Sequence, residues 1–197
     1  MKIGLYFGSF NPIHTGHLII ATHASNYTDL QEIWFVISPQ NPLKKSSGLL
    51  NEHHRKFLVD IAIEGETKLR SSNIEFKLPR PSYTVDTLSY LHEKFPRHDF
   101  SIIIGSDSFM NLKRWKNYEV ILKNYTIYVY ARPGFEIKMK NDISKKNVIV
   151  LENTPLLEIS STVIRKMIKE GKSIRFLVPK EVQHEIEVQN FYKKHGQ

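Results

Sequence analysis

Two histidines, His14 and His17, lie three residues apart in the segment YFGSFNPIHTGHLII near the start of the chain. At that spacing in a first helical turn, both imidazoles lie on one side, where the free N–H groups of the helix attract an anion. Gly8 and Gly16 remove side chains, which lets a ligand approach the backbone closely. Imidazoles donate hydrogen bonds and add positive charge when protonated. The complete strand–G-S-F-x-P-x-H-x-G-H–helix pattern therefore predicts a site that binds a chain of phosphates, and it disfavours the alternative of two ordinary surface histidines.

A second candidate segment, ISSTVIRKMI, lies near the other end of the chain, at Ile159 to Ile168. Ser161 or Thr162 suits the N-cap of a helix, and Arg165 follows Ser161 by four residues on the same helical face. A guanidinium fork suits the oxygens of phosphates. On its own this segment is better explained as a capped helix with a solvated arginine. Together with the histidine pair, it predicts a second phosphate contact.

The elements that must position these residues alternate along the chain. Apolar runs predict strands at Lys2–Gly8, Glu32–Ser38, Asn73–Leu78, Phe100–Gly105, Tyr125–Ala131 and Asn147–Leu151. Helical patterns lie at about Thr15–Tyr27, from an Asn51 N-cap to about Glu64, at about Thr84–Phe95, at roughly Asn117–Asn124, from Ser160 or Ser161 to Gly171, and from Pro179 to Lys193-Lys194-His195. This alternation predicts an α/β fold with a Rossmann-like parallel sheet and helices on both faces. Ligands of such sheets bind beyond the carboxyl ends of the strands, so Gly8, Ser38 and Gly105 should share one rim.

Length and composition indicate one globular domain spanning residues 1–197, with residues 160–197 as a small C-terminal helical subregion. The chain has 197 residues, 41% hydrophobic and 24% charged. Its apolar runs are shorter than the roughly 18 residues that a membrane span needs, and the N-terminus lacks the features of a signal peptide. We therefore expect no membrane partner.

The net charge and the cysteine content limit which binding partners and which cellular compartment we expect. The formal net charge is +8, but the lysines are scattered and form no long basic stripe. We therefore expect no nucleic-acid partner, and attribute the charge to a pocket for small phosphorylated molecules or to a solvated surface. The absence of cysteine excludes disulfides, cysteine nucleophiles and thiolate metal sites, and suits a reducing compartment such as the cytoplasm. A homo-oligomer is left open.

Five segments together carry a family resemblance that runs from Lys2 to about Tyr192. GSFNPIHTGH resembles the signature of the nucleotidyltransferase superfamily with the H-x-G-H motif, whose members join a nucleoside monophosphate to a second phosphate and release pyrophosphate. The I-S-S-T-x-x-R segment of that superfamily closes over the ATP triphosphate. RPSYTVDTL, IIIGSDSFMNLKRWKNYEVIL and YARPGF are similar to segments of bacterial nicotinate-nucleotide adenylyltransferases. Pantetheine-phosphate adenylyltransferases share only the first and last motifs, and the chain lacks the K-M-S-K-S loop of class I aminoacyl-tRNA synthetases.

The resemblance implies three groups of site residues. The catalytic group is His14, His17 and Arg165; the ATP-binding group is Gly8, Ser9, Phe10, Gly16, Gly105, Asp107, Ser160, Ser161 and Thr162; the mononucleotide-binding group is Lys44, Lys45, Thr84, Trp115 and Arg132. Trp115 would stack on the nicotinate ring, although a core tryptophan is the ordinary alternative. Asp107 would accept a ribose hydroxyl or orient hydrated Mg²⁺, and capping the next helix explains it equally well.

The chain departs from the family pattern in two places. Where the family has P-P-H-K, this chain has NPLKK, so that Lys44 stands in place of the histidine and Lys45 matches the basic residue. Both are cations that suit a phosphate, although a solvated basic loop is a credible alternative. Lys116 stands where the family often has an aromatic residue. The family holds the nicotinate carboxylate through backbone N–H groups, and recognition by the backbone tolerates a different side chain at this position.

The resemblance implies an ATP-dependent adenylyltransferase that converts nicotinate mononucleotide and ATP into nicotinate adenine dinucleotide and pyrophosphate, in NAD biosynthesis. Mg²⁺ would arrive with ATP, held mostly by phosphates and waters. No dedicated metal site is expected, because the histidines lack a third ligand at a usual spacing. Alternative acceptors are nicotinamide mononucleotide and phosphopantetheine, and a non-catalytic nucleotide sensor is the alternative outside enzymes.

Overall fold

A single parallel sheet organises the chain in a computed structural model that describes residues 1–40, 48–135 and 147–193. The strands are β1 (Lys2–Gly8), β2 (Glu32–Ile37), β3 (Leu69–Ser72), β4 (Asp99–Gly105), β5 (Ile127–Tyr130) and β6 (Val148–Leu151). They lie in the order β3-β2-β1-β4-β5-β6, and every neighbouring pair is parallel. This order runs outward in both directions from β1 and β4, so the chain reverses its course across the sheet between these two strands.

Helices cover both faces of the sheet. They are α1 (Thr15–Tyr27), α2 (Glu52–Ala62), α3 (Thr84–Lys94), α4 (Ser106–Met110), α5 (Tyr118–Asn124), α6 (Ser161–Lys169) and α7 (Lys180–Val188). Alternate strand residues enter opposite apolar clusters, as the two-residue period of a strand requires. Leu5 of β1 packs in the cluster that contains α3 and α5, whereas Tyr6 packs in the cluster that contains α1, α2, α6 and α7. The predicted Rossmann-like fold with two covered faces is confirmed.

The helix ends follow their capping residues. Asn51 caps α2 as predicted, and its Oδ1 accepts a hydrogen bond of 2.8 Å from the His53 N–H. The cap of α6 is Ser160, whose hydroxyl accepts from the Val163 N–H at 3.3 Å. The prediction that Ser161 or Thr162 caps this helix was therefore wrong. Because α7 ends at Val188, the prediction that the last helix reaches the lysine pair was also wrong.

One predicted strand, Asn73–Leu78, was wrong. A short 3-10 helix occupies Ile74–Lys77, and the strand of this region, β3, precedes it at Leu69–Ser72. The alternating apolar residues of NIEFKL favoured a strand. The contacts of Glu75, which lies buried between hydroxyl groups, stabilise the 3-10 turn instead.

The carboxyl ends of the central strands meet at one rim, as predicted for Gly8, Ser38 and Gly105. The Ser38 N–H donates a 2.9 Å hydrogen bond to the Gly8 carbonyl, and all three residues line one cavity. Ligand-binding crevices of open α/β sheets lie at such a reversal of strand order. Within the described ranges, no helix is both long and apolar enough to cross a membrane.

Candidate active site

The loop after β1 depends on a close approach between Gly8 and Phe10. Phe10 adopts a left-handed backbone conformation with φ of 44°, and its side chain is buried. A Cβ atom on Gly8 would lie 2.8 Å from the Phe10 ring, so any side chain at position 8 would displace the ring. A left-handed non-glycine residue is uncommon and carries strain. The strained loop brings the backbone that follows β1 to the edge of the crevice.

The two histidines of the signature lie against each other at the start of α1. Their rings stack with centroids 3.6 Å apart and planes 22° apart. The His14 backbone N–H donates a 3.2 Å hydrogen bond to Nδ1 of His17. Since Nδ1 of His17 accepts this bond, the neutral ring carries its proton on Nε2. His17 can therefore donate a hydrogen bond from Nε2 to a ligand.

His14 is buried and neutral at physiological pH. Its exposed fraction is 4%, and its Nδ1 has no hydrogen-bond partner among the residues that the structure describes. Burial, assisted by the positive charge of Arg132, lowers the pKa of His14 from 6.5 to about 4. Before a phosphate binds, His14 is thus a neutral imidazole, and the positive charge near it comes from Arg132.

The second segment packs directly against the loop after β1. Arg165 donates from Nη1 to the Asn11 carbonyl at 2.7 Å and from Nη2 to the Thr162 hydroxyl at 3.3 Å. The Ser161 hydroxyl donates to the Pro12 carbonyl at 2.9 Å. The bonds to Asn11 and Pro12 join residues about 150 positions apart, and they fix α6 over the start of α1. Because a guanidinium has five N–H donors, Arg165 keeps donors for a phosphate while it holds the loop.

A polar cavity of about 380 Å³ lies between α6 and the loop after β1, and we call it the histidine cavity. It brings together the predicted residues Gly8, Ser9, Phe10, His14, His17, Asp107, Arg132, Ser160, Ser161, Thr162 and Arg165. Gly16 lines a smaller pocket of about 50 Å³ beside the two histidines. The cavity therefore concentrates cations, imidazoles and hydroxyl groups, the donor types that bind a chain of phosphates.

A second cavity of about 410 Å³ adjoins the first, and we call it the tryptophan cavity. It contains the predicted residues Thr84, Gly105 and Trp115, and it shares Gly8, Ser9 and Asp107 with the histidine cavity. Lys116 also lines it, with its ammonium 4.9 Å from the centroid of the Tyr83 ring and hydrogen-bonded to both oxygens of Asp86, at 3.1 and 2.9 Å. An aromatic face, the start of a helix and a cation thus surround one space.

Asp107 and Arg132 form an ion pair at the junction of the cavities. The distance from Nη1 of Arg132 to Oδ2 of Asp107 is 3.2 Å. Oδ1 of Asp107 is buried and, in the described part of the chain, has no hydrogen-bond partner, so it is available to accept a bond from a ligand. A Cβ on Gly105 would collide with this oxygen and lie 2.9 Å from Cδ of Arg132. Glycine at position 105 therefore makes room for the pair.

Two predicted residues line a different cavity from the one their predicted ligand would occupy, and two others are not described. Arg132, predicted to bind the mononucleotide, lines the histidine cavity, whereas Gly105, predicted to bind ATP, lines the tryptophan cavity. Lys44 and Lys45 lie outside the described residues. Among the residues that are described, no cluster of three or more metal-ligating side chains occurs.

Several lining residues carry no sequence signal of function. Tyr6 and Tyr130 line both cavities, and their hydroxyls lie 3.2 Å apart in the floor. Both belong to apolar strands, where an aromatic residue ordinarily indicates core. Glu75 and Ser82 also line the tryptophan cavity. Glu75 lies in the segment predicted to be a strand, and Ser82 lies seven residues further on. The sequence alone therefore does not indicate that the two side chains meet; the three-dimensional structure brings them together.

Comparisons with known proteins find similar sequences over nearly the whole chain. The cytidylyltransferase-like family matches residues 5–167. A Flavobacterium johnsoniae protein named probable nicotinate-nucleotide adenylyltransferase is 53% identical over 98% of this chain and 100% of its own length. A protein of the same name from Cytophaga hutchinsonii is 51% identical over 99% of this chain and 100% of its own.

Solved structures agree on the fold. The Plasmodium falciparum nicotinic acid mononucleotide adenylyltransferase complexed with NaAD superposes with a TM-score of 0.79 at 23% identity, covering 97% of each chain. The complex of the same enzyme with APC gives a TM-score of 0.77 at 22% identity, over 97% of this chain and 96% of the other. With relatives above half identity over almost its whole length, the chain belongs to the cytidylyltransferase-like family and, within it, to the nicotinate-nucleotide adenylyltransferases.

Proposed function

We propose that the protein transfers AMP from ATP to nicotinate mononucleotide and releases pyrophosphate, a step of NAD biosynthesis. The observation that carries this proposal is the pair of adjoining cavities, about 380 and 410 Å³, that share a wall at the carboxyl ends of β1 and β4. Two substrates bound in such cavities meet at the common wall. The relatives' names and the complex of the Plasmodium enzyme with NaAD support the same reaction.

The tryptophan cavity suits the mononucleotide. Trp115 offers a flat aromatic face to the nicotinate ring. The first N–H groups of α3, which begins at Thr84, suit the carboxylate, since the start of a helix attracts an anion. The Lys116 ammonium lines the same cavity and adds positive charge near an acid. Phosphate binding by Lys44 and Lys45 remains a prediction.

The histidine cavity suits the triphosphate of ATP. His17 would donate from Nε2 to the α-phosphate, with neutral His14 stacked against it. Arg165, Ser160 and Thr162 line the same cavity and would bind the leaving pyrophosphate. Asp107 lies at the wall that both cavities share, and its Oδ1, which has no hydrogen-bond partner among the described residues, would accept a hydrogen bond from a ribose hydroxyl.

The chemistry needs no general base, because the attacking group is already a phosphate oxyanion. The mononucleotide oxygen forms a bond to the α-phosphorus while the bond from that phosphorus to the bridging oxygen breaks, and pyrophosphate leaves with the electron pair. The protein positions the two phosphates and stabilises the charge that develops between them. Mg²⁺ carried with ATP would neutralise part of the phosphate charge. Asp107, a lone carboxylate whose Oδ1 has no described partner, fits a water-mediated contact to an ion that the phosphates hold.

Pyrophosphate release tests the proposal. The purified protein is incubated with MgATP and, separately, with nicotinate mononucleotide, nicotinamide mononucleotide or phosphopantetheine. We expect release with nicotinate mononucleotide at far higher kcat/KM than with the other acceptors. Equal efficiency with nicotinamide mononucleotide would contradict the account of acid recognition. No release with any acceptor, in folded protein that binds ATP, would favour a nucleotide sensor.

A further inference from the structure

Arg55, on the inner face of α2, is fully buried, and its guanidinium binds backbone rather than substrate. It donates from Nε to the Leu50 carbonyl at 2.8 Å and from Nη1 to the Ser9 and Ser38 carbonyls at 2.6 and 2.9 Å. Nη2 donates to the Pro39 carbonyl at 3.3 Å. One side chain thus joins the loop after β1, the end of β2 and the segment before α2.

Burying a guanidinium is costly, so these carbonyls must replace its water. Burial lowers the pKa of Arg55, and the carbonyl dipoles offset that cost. In a trans peptide the C=O and the following N–H point in opposite directions. A Ser9 carbonyl that points at Arg55 therefore turns the Phe10 N–H away from Arg55, and the charge polarises this peptide. Arg55 sets the orientation of the loop that lines the histidine cavity.

Glu75 is the second buried residue of this kind, and it holds a segment beside the tryptophan cavity. Its exposed fraction is 2%, and it accepts hydrogen bonds from the Ser82 hydroxyl at 2.6 Å and the Thr87 hydroxyl at 2.9 Å. Burial raises the pKa of Glu75, while the hydroxyls of Ser82, Thr87 and Ser38 oppose that rise. Ser82 and Thr87 flank Thr84, where α3 begins. Glu75 therefore holds the helix start that faces the nicotinate carboxylate in the proposed function.

Ser38 lies between the two buried side chains. Its carbonyl accepts a hydrogen bond from Arg55 at 2.9 Å, its N–H donates to the Gly8 carbonyl at 2.9 Å, and its hydroxyl lies close enough to Glu75 to oppose the rise of that residue's pKa. Ser38 and Glu75 both line the tryptophan cavity, and Ser9, whose carbonyl Arg55 binds, lines both cavities. The Arg55–Ser38–Glu75 chain thus runs from the loop after β1 to the start of α3.

We propose that the Arg55–Ser38–Glu75 chain positions the two substrate sites relative to each other, so that Arg55 and Glu75 are positioning residues for the transfer. This inference rests on the proposed function. Neither residue is assigned a catalytic role: Arg55 lines neither cavity, and both carboxylate oxygens of Glu75 accept hydrogen bonds from protein hydroxyls. In-line transfer depends strongly on the separation of the two phosphates, and a misplacement of about 1 Å can cost about 100-fold in rate.

Kinetics of Arg55→Lys, Glu75→Gln, Ser38→Ala and the Arg55→Lys/Glu75→Gln double variant test the proposal. We expect kcat to fall about 10- to 100-fold in the two charge variants, while the Kd of each substrate measured alone changes less than about threefold. The double variant should lose little more than the worse single variant, because the residues act as a unit. Ser38→Ala removes only the hydroxyl link, so it should lower kcat by a smaller factor and leave the substrate Kd values nearly unchanged. This variant tests the proposal if a charge variant does not fold.

The matched control is Asp60→Asn, on the same helix as Arg55 but absent from the lining of both cavities. Asp60 accepts hydrogen bonds from Ser71 and Lys56, so its substitution disturbs a comparable polar network and should leave kcat unchanged. Additive losses in the double variant would overturn the proposal. So would variants that lose thermal stability but keep kcat, or that lose only substrate affinity.

Amide hydrogen exchange gives a readout that does not depend on the acceptor. Arg55→Lys should accelerate exchange at residues 83–87, at the start of α3, which Arg55 does not contact. Acceleration confined to the segments that Arg55 does contact would overturn the proposal. If the wild type used a different acceptor, the proposed function would fail. The exchange data would still show whether Arg55 is coupled to the start of α3 through Ser38 and Glu75.

Discussion

The neutral, buried state of His14 predicts a loss of stability on acidification. Its pKa is about 4 in the folded protein against 6.5 for an ordinary histidine. Between these values the unfolded chain binds a proton that the folded protein does not, so acid favours unfolding. The contribution of His14 is therefore fully present above about pH 6.5 and is lost as the pH falls toward 4.

The magnitude follows from the two pKa values. One pKa unit is worth about 1.4 kcal/mol, so the interval from 6.5 to about 4 amounts to about 3 kcal/mol in total. Between pH 7.5 and 5.0, which avoids most carboxylate titration, about 2 kcal/mol of that loss should appear.

Urea unfolding at pH 7.5 and 5.0 measures this loss in the wild type and in His14→Gln. The absolute stability of the variant is not the readout, since removing a buried ring has its own cost. We expect the variant to lose about 2 kcal/mol less than the wild type between the two pH values. His92→Gln, at an exposed histidine of α3, should match the wild type. If His14→Gln and the wild type lose the same free energy, the reasoning about His14 is refuted.

Three further predictions concern turnover. His17→Ala should fold and lose about 10²–10³ in kcat, because a donor to the transition state is removed; near-normal turnover would contradict this role. Trp115→Ala should mainly raise KM for the mononucleotide in steady-state kinetics, and an effect on ATP alone would contradict stacking. Gly105→Ala should lower kcat/KM at least about tenfold by displacing the Asp107–Arg132 ion pair. The comparison is Gly65→Ala, where an added Cβ would meet nothing within 4 Å; its positive φ of 83° costs stability, but activity of the folded protein should be unchanged. Equal kcat/KM values in the two variants would contradict the argument from close packing.

Much of the fold was predictable because its signals are local. Buried strands of a parallel sheet have continuous apolar sequence, and β1, β2, β4, β5 and β6 all lie within the predicted runs or one residue from them. The exception, β3, has the sequence LRSS and, in the sheet formed by the described residues, pairs with β2 alone. An edge strand with one apolar residue resembles a loop in sequence, and the apolar alternation that follows it was the stronger signal. The extent of the domain over 1–197 stays a prediction.

The site was predictable where chemistry and spacing coincide. The histidine pair and Arg165 were predicted to bind one phosphate chain, and they line one cavity. Arg55 was not predicted, since a basic residue on an amphipathic helix ordinarily faces solvent. It is buried here because four carbonyls, three of them from distant segments, accept its hydrogen bonds. Tyr6 and Tyr130 were not predicted because the sequence does not show that two core aromatics meet in the floor of a crevice.

The contacts between α6 and the loop after β1 have a consequence for synthesis of the protein. The Thr15 N–H donates to the Leu177 carbonyl, and Ser161 and Arg165 bind the Pro12 and Asn11 carbonyls. The loop after β1, which leaves the ribosome early, is therefore completed by residues about 150 positions later in the chain, and such long-range closure is slow. A nascent chain can assemble most of its sheet while the histidine cavity still lacks the wall that α6 supplies. We expect this cavity to become complete only after α6 has left the ribosome.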